Sequence, residues 1–139
     1  MKNWILLAGL LLSGCATSPA QQLSEAGQTR LTLGVEYMKR GQLQRAREQL
    51  NKAYQDAPRS EAVIIALGQW YLRKEKVNSA LLLYQQALSW QPISGAMYYN
   101  YAIALCLAGN TEQALQLFAQ AEQLQQQVAV SRAQCLSRR

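Results

Sequence analysis

The chain repeats a pattern of residue types with a period of about 34 residues, and this period constrains its fold more than any other feature. A Leu-Gly pair with a tyrosine three places later occurs twice at that interval, and small residues and a proline downstream recur in step. A third copy follows with compatible residues. The matched pairs are Leu33 and Leu67, Gly34 and Gly68, Tyr37 and Tyr71, Ala46 and Ala80, Ala53 and Ala87, and Pro58 and Pro92, and the third copy has Tyr101, Ala102, Leu105, Ala114, Phe118 and Ala121.

Each repeated residue type has a role in a pair of antiparallel helices. Small residues let the two helices approach closely, large ones fill the spaces between neighbouring pairs, and proline ends the second helix. The pattern resembles the tetratricopeptide repeat. This resemblance implies an all-α solenoid of three helix-turn-helix repeats at residues 27–60, 61–94 and 95–127, followed by a C-terminal capping helix at 128–139. An unrelated helical bundle with accidental matches is the alternative.

The first residues have the order of an export signal. Lys2 gives a positive start, residues 4–12 form an apolar run, and small residues precede Cys15. The run is well short of the ~20 apolar residues that a helix needs to cross a bilayer. The segment Leu12-Ser13-Gly14-Cys15 resembles the lipobox of bacterial lipoproteins, in which the cysteine is lipidated and becomes the new N-terminus. An ordinary secretory signal that happens to contain a cysteine is the alternative.

The lipobox resemblance implies a signal peptide at residues 1–14, followed by a lipidated Cys15 and a flexible tether at 15–26. More than one acyl chain on Cys15 would anchor the protein stably without spanning the membrane. Ala16 stands where an aspartate would retain such a protein in the inner membrane, by resemblance to enterobacterial sorting rules. We therefore expect a Gram-negative outer-membrane lipoprotein that faces the periplasm.

Composition disfavours several classes of function. Histidine is absent, which removes the commonest general base and metal ligand, and no spacing resembles a metal site, a P-loop or a dinucleotide fingerprint. The formal net charge is +6, but the cations of residues 30–59 alternate with Glu36, Glu48 and Asp56, and residues 95–128 contain no cation. That arrangement favours a solvated face over a phosphate-binding one. We expect no enzyme activity, no cofactor or metal, no small-molecule substrate and no nucleic-acid partner.

The first helices of such repeats form the inner wall of a superhelix, and this wall is the predicted protein-binding groove. It is largely apolar here, and contiguous exposed apolar surface usually marks a binding site, in this case for a helix or an extended segment. Its polar members would hold an acidic or polar group. The alternative is that several of these side chains belong to the core. The predicted groove residues are Leu31, Val35, Met38, Lys39, Ile65, Gln69, Leu72, Arg73, Tyr99, Ile103 and Leu107.

Two cysteines remain besides Cys15, namely Cys106 in the third repeat and Cys135 in the expected capping helix. An oxidising periplasm would permit a disulfide between them. It would close a loop of about 30 residues and stabilise the fold by roughly 2 to 4 kcal/mol. Two unpaired buried thiols are the alternative, and no histidine exists to activate either as a nucleophile. In the same helix, Val130 and Leu136 are expected to cover the open end of the stack.

Three segments look like the type IV pilus biogenesis lipoproteins, the PilF/PilW family: RLTLGVEYM at residues 30–38, AREQLNKA at 46–53 and NYAIALC at 100–106. The likeness covers about residues 27–121. It implies a pilotin-like outer-membrane lipoprotein that aids assembly of the pilus secretin or stabilises the fibre, with the secretin or another pilus component as its protein partner. Some members also have a cysteine pair, one of them at the place of Cys106, which favours the bridge. A general envelope scaffold in another secretion or adhesion system is the alternative.

Overall fold

The computed structural model describes residues 22–90 and 92–138. Over these residues the chain forms seven α-helices and no β-strand. The expected signal peptide, the expected lipidation site at Cys15 and most of the tether lie outside the described residues. The helices are α1 Glu25–Lys39, α2 Leu43–Asp56, α3 Glu61–Arg73, α4 Val77–Leu88, α5 Gly95–Leu107, α6 Thr111–Gln123 and α7 Ala129–Leu136.

The first six helices form three hairpins, α1/α2, α3/α4 and α5/α6, whose tight turns recur at the interval of the sequence repeat. Each turn contains one residue in the left-handed backbone region, which ends the first helix and reverses the chain. Gly41 and Gly109 occupy this place with φ angles of 73° and 83°. Glu75 occupies it in the second hairpin with a φ of 57°. The second turn therefore carries a backbone conformation that suits glycine but has a side chain there.

Carboxylates connect helix ends, once within the first hairpin and once between the second and third hairpins. The two oxygens of Asp56 at the end of α2 accept hydrogen bonds from the backbone N–H and the hydroxyl of Ser24, each at 2.8 Å. Glu61 at the start of α3 accepts from the backbone N–H of Ser94 at 3.1 Å. The hydroxyls of Ser24 and Ser94 in turn cap α1 and α5. Hydrogen bonds between residues about one repeat apart in the chain thus join these helix ends.

Small residues sit where the two helices of a hairpin touch. A Cβ added to Gly34 would overlap the side chain of Leu50, and a Cβ added to Gly68 would overlap the ring of Tyr84. The alanines on the facing helices have no exposed surface, which lets the backbones approach closely. These alanines are Ala46, Ala80 and Ala114.

The hydrophobic core runs through the whole stack. One cluster of buried side chains joins the first hairpin to α3, another extends from α3 to α7, and Tyr54, Tyr71 and Leu83 pack against both. The large side chains that project from the second helices into this core are fully buried. They are Leu50, Tyr84 and Phe118, at equivalent positions of the three repeats.

The last helix, α7, continues the period. The helices α3, α5 and α7 begin at Glu61, Gly95 and Ala129, and these three residues are equally spaced along the chain. Moreover, α7 packs on both α5 and α6, just as α5 packs on both α3 and α4. The C-terminal helix therefore occupies the place of the first helix of a further repeat.

The side chains by which α7 covers the stack differ from those expected. Val128 and Cys135 are buried, whereas Val130 is 71% exposed and Leu136 is 42% exposed. The expectation that Val130 and Leu136 cover the open end was wrong. A helix in this place presents its side chains in the register of the other first helices, and in that register these two face away from α5 and α6.

Candidate protein-binding surface

The first helices of the hairpins lie side by side, because α1 packs on α3, α3 on α5 and α5 on α7. Their equivalent outward positions define one surface, which we call the inner wall. The residues of the predicted groove that retain exposed or partly exposed side chains on the inner wall are Val35, Lys39, Ile65, Gln69, Leu72, Arg73, Tyr99, Ile103 and Leu107.

Two residues of the predicted groove belong to the core instead. Leu31 is 7% exposed and Met38 is 3% exposed, and both belong to the buried cluster that contains Val63 and Trp70 of α3. The prediction that they line the groove was wrong. The period identifies which face of α1 they share, but not how far the side chains of α3 cover that face.

The apolar residues of the inner wall are only partly available to a partner. Val35, Ile65, Leu72 and Ile103 are half-buried and pack against the core. Leu107 at the end of α5 is 40% exposed. These side chains therefore support the core, as the alternative interpretation expected, and also leave apolar surface on the wall, where binding stays a prediction.

Two polar residues of the inner wall, Gln69 and Arg73, hold neighbouring helices together. Arg73 Nη1 donates to the carbonyl oxygen of Met38 at 2.8 Å, so α3 caps the end of α1. Gln69 Nε2 donates to Asn100 Oδ1 at 3.0 Å, which links α3 to α5. Both side chains remain exposed, and both retain further donors for a ligand.

Lys39 forms an ion pair with Glu36, with 2.7 Å between Nζ and Oε1. The hydrogen bond from Lys39, together with its charge, holds the pKa of Glu36 below its ordinary value. The pair is exposed, so it adds little to stability. It does reduce the positive charge that Lys39 presents to a ligand.

The third repeat's part of the inner wall is joined to α7. The hydroxyls of Tyr99 and Ser131 lie 2.7 Å apart in a hydrogen bond, and the Tyr99 ring packs edge-on against Phe118. Cys106 and Cys135 form a disulfide with their Cα atoms 5.5 Å apart. Tyr99 is therefore a link between helices as well as a surface residue.

A cavity of about 190 Å³ lies where α5 meets α7. It joins the inner wall to the last helix, so the wall continues beyond the three hairpins. Its lining comprises Ile103, Cys106 and Leu107 of α5 with Ser131, Gln134, Cys135 and Arg138 of the C-terminal segment.

A larger depression, of about 440 Å³, lies at the open end of the first hairpin and not on the inner wall. It includes Arg30 and Leu33, and Leu33 is 42% exposed. The equivalent residues of the next two repeats, Leu67 and Tyr101, are each 5% exposed. The difference arises because no hairpin precedes α1 in the described chain, so its outer face lacks the second helix that covers α3 and α5.

Sequence reasoning missed the polar partners of the wall. Asn100 and Ser131 were not among the predicted residues. The hydrogen bond of 2.7 Å from Trp70 Nε1 to the carbonyl oxygen of Leu43 was not predicted either. Extending the repeat period beyond the third copy would have placed Ser131 on a further first helix. Nothing in the pattern identifies the other two, because each depends on how neighbouring helices rotate against one another.

Within the described ranges, no cluster of acidic residues and cysteines could hold a metal ion. No buried side-chain nitrogen or oxygen lacks a hydrogen-bond partner in this part of the chain. No helix between residues 22 and 138, residue 91 aside, is long and apolar enough to span a bilayer. The inner wall offers hydrogen bonds, charge and apolar contact, which are the means of recognising a polypeptide.

A family model described as the tetratricopeptide repeat matches residues 71–135, which extend from the end of α3 to the end of α7. The chain is also 27% identical, over 110 residues, to an uncharacterized protein of Haemophilus influenzae. That match covers 78% of this chain and 62% of the relative, so the chain spans less than two thirds of the relative's length. The fold is a tetratricopeptide-repeat helical solenoid, and the match supports a tetratricopeptide-repeat protein.

Proposed function

We propose that this chain is a lipid-anchored, non-catalytic protein-binding scaffold of the outer membrane, and that it acts in type IV pilus biogenesis. The observation that carries the scaffold role is the inner wall, where exposed Gln69 and Arg73 lie among the partly exposed Ile65, Leu72 and Ile103. Tetratricopeptide repeats generally mediate contacts between proteins, and rigid paired helices hold such a wall in place without a ligand.

Binding at the inner wall is tested by site-specific photo-cross-linking in the native host. A photoreactive amino acid at Gln69 or Leu107 should capture one and the same partner, identified by mass spectrometry. The matched control places it at Lys52, which is exposed on the second helix α2. Equal capture of that partner from all three positions would contradict the assignment. These positions are preferable to Leu72, whose half-buried side chain supports the core.

The lipid anchor rests on the segment Leu12-Ser13-Gly14-Cys15. Feeding cells an alkyne-bearing fatty acid should label the wild-type chain, and labelling should be lost in Cys15→Ser. Gradient fractionation should place the wild-type chain with the outer membrane. Labelling that persists in Cys15→Ser, or a chain recovered with the inner membrane, would contradict this part of the proposal.

The pilus role rests on the three segments that look like the PilF/PilW lipoproteins. Deleting the gene should abolish secretin multimers or surface pili, and the wild-type gene should restore them. Normal multimers and normal piliation in the deletion strain would contradict the role.

A general envelope scaffold in another secretion or adhesion system is the second candidate. The family match favours this candidate, because the model that matches residues 71–135 describes the tetratricopeptide repeat in general. The two candidates differ in what the cross-linked partner is. A secretin or another pilus component supports the first, and a component of an unrelated assembly supports the second.

A further inference from the structure

The turns of the first two hairpins lie next to each other at one edge of the inner wall. Arg73 at the end of α3 donates to the carbonyl oxygen of Met38 near the end of α1, at 2.8 Å. Trp70 of α3 donates to the carbonyl oxygen of Leu43 at the start of α2, at 2.7 Å. These two bonds bring the α1/α2 turn and the α3/α4 turn together at this edge.

Cations are concentrated at this place, which we call the basic edge. Two acidic residues accompany them, Glu36, which is paired with Lys39, and Glu75. The corresponding turn of the third hairpin, residues 108–110, has no charged residue. The cations of the basic edge are Lys39, Arg40, Arg45, Arg73, Lys74 and Lys76.

Part of this charge has a structural explanation. Lys39 and Arg73 lie in the last turns of α1 and α3, where a cation interacts favourably with the helix dipole. Lys74, the C-cap residue of α3, has the same explanation. The explanation does not extend to Lys76, which is exposed and is the N-cap residue of α4, where the helix dipole disfavours a cation. Like charges held together repel one another, so an anionic ligand would be attracted to this edge.

At the other end of the stack the inner wall exposes apolar side chains, beside Arg138, which lines the cavity between α5 and α7, and Arg132, which is paired with Glu122. The helix α7 continues the wall as a further first helix, and Val130 at its start is 71% exposed. Val130 lies at the position that Ala62 and Ala96 occupy in α3 and α5. Leu107 adds exposed apolar surface beside the cavity between α5 and α7.

We propose that the inner wall, extended by α7, binds a polypeptide segment with acidic side chains at one end and apolar side chains at the other. The acidic end lies at the basic edge, and the apolar end crosses α5 and α7 between Leu107, at the end of α5, and Val130, at the start of α7. Charge complementarity at the basic edge sets the direction of the segment and speeds its association. This inference rests on the proposed scaffold function and adds the chemistry of its partner.

The test uses the full chain in mild non-ionic detergent and a fluorescent synthetic peptide with a Glu/Ser half and a Leu/Ala half. Fluorescence anisotropy should show that this peptide binds and that the peptide in which Lys replaces every Glu does not bind. Arg40→Glu/Lys74→Glu should weaken binding about tenfold, because reversal replaces attraction with repulsion at two exposed sites. Lys52→Glu/Arg59→Glu is the matched control, since it changes the net charge equally and should leave binding unchanged.

The apolar end has its own matched pair of variants. Val130→Ser should weaken binding of the Glu/Leu peptide a few-fold, whereas Leu82→Ser on α4 should not. The two residues are alike in exposure, at 71% and 69%, so either loss of apolar surface perturbs folding to a similar degree. Equal effects of the two variants would overturn the placement of the apolar end.

Two further outcomes would overturn the proposal and are distinguishable from failure of the scaffold itself. If both charge-reversed double variants bind the peptide with equal affinity, the basic edge has no role in binding it. Binding of phosphatidylglycerol vesicles that is lost in Arg40→Glu/Lys74→Glu, without binding of the peptide, would assign the basic edge to a membrane surface. If cross-linking through Gln69 still captures a partner in either case, the scaffold stands and only this inference fails.

Discussion

The ring of Tyr84 lies directly over Gly68, and a Cβ at residue 68 would overlap its Cζ and hydroxyl oxygen. The same hydroxyl donates to the carbonyl oxygen of Ile65 at 3.3 Å, so Tyr84 fastens α4 to α3. Gly68→Ala should therefore lower the free energy of unfolding by about 1 to 2 kcal/mol, although alanine favours a helix. Urea denaturation measures the change. In a Tyr84→Leu background the penalty should vanish, and a penalty of the same size there would contradict the contact.

Burial also raises the pKa of the Tyr84 phenol well above its ordinary value of 10.0. Above about pH 10 the unfolded chain loses the phenolic proton while the folded chain keeps it, so stability should fall as pH rises there. Below that value the contribution of Tyr84 is fully present. Denaturation midpoints between about pH 8 and about pH 11 test this, and Tyr84→Phe should flatten the alkaline decline. An identical decline in Tyr84→Phe would assign it to other groups.

Glu75 adopts the left-handed conformation that Gly41 and Gly109 adopt in the equivalent turns. Because a side chain there costs about 1 kcal/mol, Glu75→Gly should raise the free energy of unfolding by about that amount. Gly41→Ala is the converse test. A Cβ at residue 41 would meet no atom within 4 Å, so any loss of stability reports backbone strain alone. A neutral result for both variants would exclude strain at these turns.

The disulfide between Cys106 and Cys135 crosses 29 residues and joins α7 to α5. Its removal in Cys106→Ser/Cys135→Ser should lower stability by about 3 kcal/mol, as expected for a loop of this size. Amide hydrogen exchange should show the loss of protection concentrated in α7, since this helix is short, ends the stack and packs mainly on α5 and α6. Reductant should reproduce the effect in the wild-type chain and do nothing to the double variant. Uniform exchange along the chain would argue against a local role.

The repeat pattern predicted most of the fold because it depends on local rules. A small residue at Gly34 or Gly68 indicates a place where another helix comes close. A large residue at Phe118 indicates a space between helices that must be filled. Identical spacing then implies identical hairpins. The pattern was less reliable for the surface, because it marks the face of a helix and not the neighbour that covers it.

The sequence by itself determined the helical hairpins, their period and the face of each first helix that forms the inner wall. Only the tertiary structure decided that Leu31 and Met38 are covered by α3, that Tyr99 is bonded to Ser131, and that α7 stands in line with the first helices. The physical reason is that residue spacing fixes which side chains share a face, whereas burial depends on the bulk and rotation of the helix packed against it.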